Sequence, residues 1–379
     1  MTPPATAAPS SPGARRLAAL AAALLLGGAA LASPPRRKVI IDQDAFGGAN
    51  LQPMLMVIQA PDVDVVGIAV ESGDGWQKES VAHTLRMLEL VGRTDIPVAP
   101  GATYPLLNSE EETRRWEALH GRLPYKGAWM ETWPDYNTVN RPPHHAADIV
   151  PPLPEGEPTT RPLAEAAASF LARKVREAPG EISILALGPF TNIALAAKLD
   201  EGFAANAKEL VIMGGAFDPD ASKEDEFSLQ FVNSPRAEFN CRWDPEASRI
   251  MLHARWRKIT VVPTDATVGT RLTPALAREA GGADTPASRY FARYGAVGFP
   301  MWDETAAAVW LDPGIVRRSV RLAMDVDIDH GAGYGATLSW LPGFSPGLGE
   351  PVVTVVREID VRRLERLFVE SMRRPTPAP

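Results

Sequence analysis

Short runs rich in apolar and β-branched residues alternate with segments whose apolar residues recur at helical spacing. The runs predict buried strands at 38–41, 63–70, 182–187, 210–213, 259–262 and 352–356. The helical spacing predicts helices at 79–90, 191–199, 245–252 and 361–372. Gly92 is placed to stop the first of these helices, and Asp244 to cap the third. This alternation predicts one α/β domain, with a mostly parallel central sheet flanked by helices.

Polar residues follow the predicted strands at the points where those strands end. Asp42 and Asp44 follow the first strand, Asp74 the second, and Gly188 the strand at 182–187. In open α/β sheets, ligands bind outside the carboxyl ends of the strands. We therefore expect these segments to meet on one rim of the sheet.

The composition is that of an ordinary globular enzyme. Of 379 residues, 45% are hydrophobic and 22% are charged, and the formal net charge is -7. No dense Lys/Arg stretch is present, so a nucleic-acid partner is not expected. Cys241 is the only cysteine, which excludes an internal disulfide and leaves stability to the core.

The N-terminal 32 residues differ from the rest of the chain. Arg15 and Arg16 precede an apolar run at 17–31, and a small-x-small sequence ends at Ala32. This order predicts a signal peptide over 1–32, followed by a single domain over 33–379 and periplasmic or secreted localisation. The apolar run is short for a membrane span, so no stable anchor is expected, although an uncleaved anchor is the alternative.

The first segment with candidate catalytic or metal-binding residues is the stretch 42–50, Asp-Gln-Asp-Ala-Phe-Gly-Gly-Ala-Asn. Two carboxylates this close are costly unless a cation or hydrogen-bond donors neutralise them. A strand-end turn with solvated acids is the simpler interpretation. A phosphatase of the haloacid dehalogenase fold also begins with Asp-x-Asp, but it would need Thr or Ser where this chain has Phe46.

Three further segments carry polar residues at positions where they are candidates for ligand or cation binding. The Gly-Pro-Phe-Thr-Asn stretch at 188–192 forms a strand-turn-helix corner after Leu187. Glu238 and Asn240 lie two residues apart, so in extended chain both would face one side and suit sugar hydroxyls. Asp303 opens an apolar helix, where it is either a cap or part of a cation site with Asp44.

Together these four segments, in this order, resemble the inosine–uridine preferring nucleoside hydrolase family. Its members have an Asp-x-Asp strand end, a Gly-Pro-Leu-Thr-Asn corner, an Ala-Glu-Phe-Asn…Asp-Pro-Glu-Ala segment and an Asp before a small-residue helix. The stretches 96–101 and 115–124 resemble an exported or fungal-type branch. The resemblance covers roughly 38–315.

The resemblance implies hydrolysis of the N-glycosidic bond of a ribonucleoside, assisted by Ca²⁺, in a homodimer or homotetramer. It implies that Asp44 binds the metal and deprotonates the attacking water, with Asp42 as its structural partner beside the substrate. It implies that Leu187 (through its carbonyl), Asn50 and Asp303 complete the metal site. The residues implied to hold the substrate are Asp42, Asp74, Asn233, Glu238, Asn240 and Trp302.

Two departures from the family change these expectations. Asn50 and Ala49 stand where relatives carry acids, so we expect one negative charge fewer and weak calcium binding. Trp302 stands where many relatives carry a histidine that helps the base to leave, and we expect it to stack on the base instead. A non-catalytic or altered-substrate binding protein with the same fold is the alternative function.

Overall fold

The computed structural model of the protein describes residues 1–4, 36–133, 142–218, 227, 229–233 and 236–378. The chain divides into two compact units, 1–36 and 37–379. The predicted signal peptide lies almost entirely outside the described residues, so it stays a prediction. No described helix is long and apolar enough to cross a membrane.

The strands of the second unit form one mixed sheet. In chain order they are β1 (Arg37–Gln43), β2 (Val63–Val70), β3 (Val98–Pro100), β4 (Ile182–Ala186), β5 (Glu209–Met213), β6 (Ile259–Val262), β7 (Val316–Val326), β8 (Thr337–Trp340) and β9 (Val352–Ile359). Across the described part of the sheet the order is β3-β2-β1-β4-β5-β6-β9-β7-β8. The strands from β3 to β9 in this order pair in parallel, whereas β7 and β8 are antiparallel additions.

Helices connect the strands and cover both faces of the sheet. They are α1 (Gly48–Ile58), α2 (Gln77–Val91), α3 (Glu110–His120), α4 (Ala167–Glu177), α5 (Thr191–Leu199), α6 (Phe203–Asn206), α7 (Leu229–Val232), α8 (Phe239–Trp243), α9 (Pro245–Leu252), α10 (Thr264–Thr267), α11 (Pro274–Ala280), α12 (Pro286–Tyr294), α13 (Trp302–Leu311) and α14 (Val361–Arg373). Gly127–Trp129 and Pro313–Ile315 form 3₁₀ turns.

The core lies on both sides of the sheet, as β1 illustrates. Val39 and Ile41 pack into one apolar cluster, together with α1, α13 and α14, while Ile40 packs into the opposite cluster with α4 and α5. All three side chains are fully buried. A strand that is buried on both faces has a continuous run of apolar residues, and this is why β1 could be predicted from the sequence.

The α/β fold predicted from the sequence is confirmed. The strand at 63–70 and the helices at 191–199 and 245–252 have the predicted bounds. Gly92 ends α2 in the left-handed conformation with φ 76°, which a residue without Cβ adopts readily. Sequence reasoning missed α1, which is apolar on nearly every side and contains Pro53, so it lacks the amphipathic period.

Candidate active site

Asp44 lies at the exit of β1, at the floor of a cleft above the carboxyl ends of the parallel strands. Its Oδ2 accepts from the backbone N–H of Asp74, which follows β2, at 2.8 Å, and its Oδ1 faces Asn50 Nδ2 at 3.3 Å. A Cβ at Gly73 would lie 2.2 Å from Asp44 Oδ2, and one at Gly188 would lie 2.8 Å from the Asp44 nitrogen. The two glycines therefore let neighbouring loops close tightly around this carboxylate.

The described residues lining the cleft are strongly acidic. They include Asp44, Asp74, Glu238, Asp303 and Glu304, and none of the described lining residues is Lys, Arg or His. Burial raises the pKa of Asp44 and of Asp303 well above the usual range, and neighbouring carboxylates raise both further. Burial also raises the pKa of Asp74 to about 6 and that of Glu304 to about 7. A cation or a set of hydroxyl donors would relieve this concentration of buried negative charge.

Gln43, the last residue of β1, lies between Asp42 and Asp44 and links the Asp44 backbone to the Asp303 carboxylate. Its Oε1 accepts from the backbone N–H of Asp44 at 2.9 Å. Its Nε2 donates to Asp303 Oδ2 at 2.8 Å and to the Asn50 carbonyl at 3.2 Å. One buried amide thus holds β1, α1 and α13 in register at the site. Sequence reasoning missed it, although an amide at the end of an otherwise apolar strand was a usable signal.

A further part of the cleft lining comes from α8 and the residue before it. Glu238 caps α8: its carboxylate accepts from the backbone N–H groups of Gly215 at 2.8 Å, Cys241 at 3.0 Å and Asn240 at 3.1 Å. Asn240 Nδ2 donates to the carbonyls of Leu187 and Met213, both at 3.0 Å. Both amide protons of Asn240 are therefore used, and its Oδ1 remains to accept from a ligand.

Several aromatic side chains line the cleft, among them Phe46, Phe227, Phe299 and Trp302. Trp302 packs edge-on against Phe227 with ring centroids 5.6 Å apart, and against Phe299 at 6.3 Å. Phe46 stacks on Trp133, with ring centroids 5.0 Å apart. Trp302 therefore belongs to an apolar part of the cleft lining, and its role as a stacking surface stays a prediction.

Asp42 lies behind the cleft instead of lining it. It is fully buried, and its Oδ1 accepts from Asn192 Nδ2 at 2.8 Å. Asn192 also receives a hydrogen bond from the backbone of Ala102 and donates its own N–H to Glu71. Burial raises the pKa of Asp42 to about 7, and burial together with the charge of Asp42 raises the pKa of Glu71 well above its usual range. Asp42 thus supports the backbone beneath the cleft and is not among the described residues that line it.

Asn233 is also apart from the other predicted substrate residues. It follows α7, is exposed, and donates its Nδ2 to the Leu229 carbonyl one turn earlier at 3.0 Å. It is not among the described residues that line the cleft. In this arrangement Asn233 ends a short helix and lies outside the described lining to which Glu238 and Asn240 belong.

Asn50 and Asp303 occupy the site in different ways. Asp303 lines the cleft on the first turn of α13, and its role as a metal ligand stays a prediction. Asn50 presents its amide nitrogen to the carboxylates of Asp44 and Asp74, whereas a metal ligand would present oxygen. No three His, Cys, Asp or Glu side chains of the described residues are grouped so that they could hold a metal ion.

A sequence model of the inosine-uridine preferring nucleoside hydrolase family matches residues 39–366. The chain belongs to this family. As a nucleoside hydrolase family member it is 34% identical over 235 residues to uridine nucleosidase 1 of Arabidopsis thaliana, covering 62% of this chain and 58% of that protein. It is 30% identical over 217 residues to a pyrimidine-specific ribonucleoside hydrolase of Salmonella arizonae, covering 57% of each. The chain thus spans somewhat more than half the length of these relatives.

Solved nucleoside hydrolases share the fold over nearly the whole chain. A plant nucleoside hydrolase superimposes with a TM-score of 0.68 at 25% identity, covering 90% of this chain and 100% of that one. A purine-preferring ribonucleoside hydrolase from Gardnerella vaginalis gives a TM-score of 0.67 at 21% identity, covering 89% and 98%. The latter likeness concerns the fold alone.

Proposed function

We propose that this nucleoside hydrolase family member cleaves the N-glycosidic bond of ribonucleosides, releasing ribose and the free base. The observation that carries the proposal is the position of Asp44. Its carboxylate lies in an acidic cleft whose lining also includes the polar side chains of Glu238 and Asn240 and several aromatic rings. The names of the relatives matched by sequence, a uridine nucleosidase and a pyrimidine-specific ribonucleoside hydrolase, support the reaction class. Hydrolysis of a panel of nucleosides decides which base this chain prefers.

Asp44 is the group that removes the proton from the attacking water. Glycosidic cleavage passes through an oxocarbenium-like state, in which water attacks the anomeric carbon as the base departs. Asp44 is buried and fixed by the Asp74 N–H, so its carboxylate needs little reorganisation to accept a proton. A positioned base of this kind contributes about 10²–10⁴-fold to the rate.

Glu238, Asn240 and Asp74 hold the sugar hydroxyls in this proposal. Glu238 and Asn240 are anchored by backbone groups, which limits their movement and keeps the anomeric carbon near Asp44. Trp302 and its aromatic neighbours take the departing base, whose flat ring suits stacking on an indole.

Calcium fits the donor set of the cleft. Asp44, Asp303 and the carbonyl of Leu187 offer hard oxygens, and no described cationic side chain competes for them. These three residues, completed by water, would hold the ion. Bound there, it would lower the pKa of a coordinated water and neutralise part of the buried charge. Asn50 would join them through its Oδ1 if its amide turned over.

A panel of purine and pyrimidine ribonucleosides, followed by ribose release with and without calcium, tests the proposed function. We expect release from at least one substrate, and at least a 100-fold lower rate for Asp44→Asn. Asp148→Asn, a change of the same chemistry at an exposed position, is the matched control. Binding of nucleosides without release of ribose would instead support the non-catalytic alternative. A variant Asp44→Asn that keeps more than about a tenth of the parental rate would contradict the role of Asp44 as base.

We also propose export and self-association, which the N-terminal sequence and the family resemblance respectively support. Residues 1–32 are the signal peptide in this proposal, and the exported domain begins at Ser33 with a formal charge of -9, because the removed segment has two arginines and no acid. N-terminal sequencing of the protein recovered from outside the cytoplasm tests the cleavage site. Light scattering of the purified domain tests whether it is a homodimer or homotetramer.

A further inference from the structure

The long connection between β3 and β4 contributes a tyrosine to the cleft. This connection runs over 101–181 and includes α3, the 3₁₀ turn Gly127–Trp129 and α4. Among the described residues that line the cleft, Tyr125 is the only one that belongs to it. The side chain of Tyr125 is half-buried, so a ligand in the cleft can reach it.

The hydroxyl group of Tyr125 is hydrogen-bonded to the carboxylate of Asp74. An ionised carboxylate only accepts hydrogen bonds, so Tyr125 donates its proton there, as Asn50 Nδ2 does to Asp74 Oδ2 at 3.0 Å. A phenol hydroxyl has one proton to donate and two lone pairs that accept. The Tyr125 oxygen therefore keeps the capacity to accept from a ligand, directly beside a residue that we propose to hold the sugar.

The ring and the backbone of Tyr125 are fixed by neighbouring groups. The ring packs edge-on against Phe239, with centroids 5.0 Å apart. Ala128 donates its backbone N–H to the Gly73 carbonyl at 2.9 Å. At Gly127 the chains approach so closely that a Cβ would lie 2.2 Å from the same Gly73 oxygen and 2.5 Å from Phe239 Cζ. Because Gly73 precedes Asp74 in the chain, these contacts hold Tyr125 and its carboxylate partner in one arrangement, and a ligand has little to reorder.

We propose that Tyr125 is a further substrate-binding residue, whose oxygen accepts a hydrogen bond from a ribose hydroxyl while its proton is donated to Asp74. The inference rests on the proposed function, because it assumes that the cleft holds a ribonucleoside. The alternative is that Tyr125 only holds Asp74 in place. These two roles differ in a measurable way, because a direct contact is lost with a substrate that lacks the contacted hydroxyl, whereas an indirect role affects all substrates alike.

Tyr125→Phe tests the inference, since it removes the oxygen and keeps the ring against Phe239. We measure kcat/KM for the ribonucleoside that the parent hydrolyses fastest and for its 2′-deoxy, 3′-deoxy and 5′-deoxy analogues. For analogues that react too slowly, inhibition constants in competition with the ribonucleoside replace kcat/KM. We expect Tyr125→Phe to lower kcat/KM for the ribonucleoside roughly 3- to 10-fold, as loss of one hydrogen bond does. For one of the three analogues, the parent and the variant should differ by less than about twofold.

Tyr104→Phe is the matched control. Tyr104 belongs to the same connection, its side chain is 64% exposed, and it is not among the described residues that line the cleft. The control should have the kinetics of the parent with all four compounds. Thermal unfolding of Tyr125→Phe should also match the parent, because the packing of the ring on Phe239 is unchanged.

Two results would overturn the inference and leave the proposed function intact. One is an unchanged kcat/KM of Tyr125→Phe with the ribonucleoside. The other is the same ratio of parent to variant for all four compounds, which would make Tyr125 a support for Asp74 alone. If the parent binds nucleosides but releases no ribose, calorimetric affinities for the same four compounds decide by the same comparison. A parent that neither binds nor hydrolyses any nucleoside overturns the inference together with the proposed function.

Discussion

Substitutions of Glu238 test separately its contribution to stability, as the N-cap of α8, and its proposed contribution to substrate binding. Its carboxylate accepts three backbone N–H groups, those of Gly215, Asn240 and Cys241, and the side chain is only 3% exposed. In Glu238→Ala these three donors lose their acceptor. In Glu238→Gln one amide oxygen still accepts, while the new NH₂ group faces a backbone donor.

The hydrogen bonds of Glu238 give the expected loss of stability in the two variants. A buried donor left without a partner costs about 1–3 kcal/mol, and loss of a helix N-cap costs about 1 kcal/mol. Water in the cleft satisfies part of this loss, and removal of a desolvated carboxylate offsets another part, since burial raises the pKa of Glu238. We therefore expect Glu238→Ala to lower the free energy of unfolding by about 2–4 kcal/mol, and Glu238→Gln by about 1–2 kcal/mol.

Urea unfolding at pH 7.5 measures these differences, with the exposed Glu201→Ala as control. The kinetics of ribose release by the two variants, at temperatures where both are folded, then measure the loss of substrate binding and orientation. We expect KM to rise and kcat to fall for both, because the sugar is less well oriented. A free energy of unfolding for Glu238→Ala within about 0.5 kcal/mol of the parent would refute the stabilising role of Glu238 as the N-cap of α8. Reduced stability with unchanged kinetics would make Glu238 a cap alone.

Three further changes have definite expected outcomes. Trp302→Ala should change the ratio of purine to pyrimidine hydrolysis rates while Trp302→Phe largely preserves it, and equal ratios for parent and Ala variant would reject the stacking role. Asp303→Ala should abolish calcium binding in calorimetry and reduce ribose release at least 100-fold, and an active variant with parental calcium affinity would place the ion elsewhere. Burial raises the pKa of Asp244 to about 6, so the folded state binds a proton more tightly than the unfolded state. Lowering the pH from 7 to 4 should therefore stabilise the parent relative to Asp244→Asn by roughly 2–3 kcal/mol, and unfolding curves with no such difference would contradict the shift.

The sequence by itself determined the fold class and the edge of the sheet where the site lies. Buried strands such as β1 and β2 appear as apolar runs, and acids at their ends mark where the chain leaves the core. Local signals also placed the Asp244 cap, whose side chain accepts from the Ala247 N–H in the structure. These features depend on neighbours within a few residues, so their causes are present in the linear sequence.

The tertiary structure alone decided which polar side chains meet. Gln43 bonds to Asp303 across 260 positions, and Asn192 bonds to Asp42 across 150. Asp42 and Asp44 are two residues apart in one strand exit, yet only Asp44 lines the cleft, because the helix after β4 brings Asn192 against Asp42. Asn50 likewise becomes a donor to Asp44 and Asp74 only when two loops pack together. Hydrogen bonds of this kind depend on the packing of distant elements, which no local pattern records.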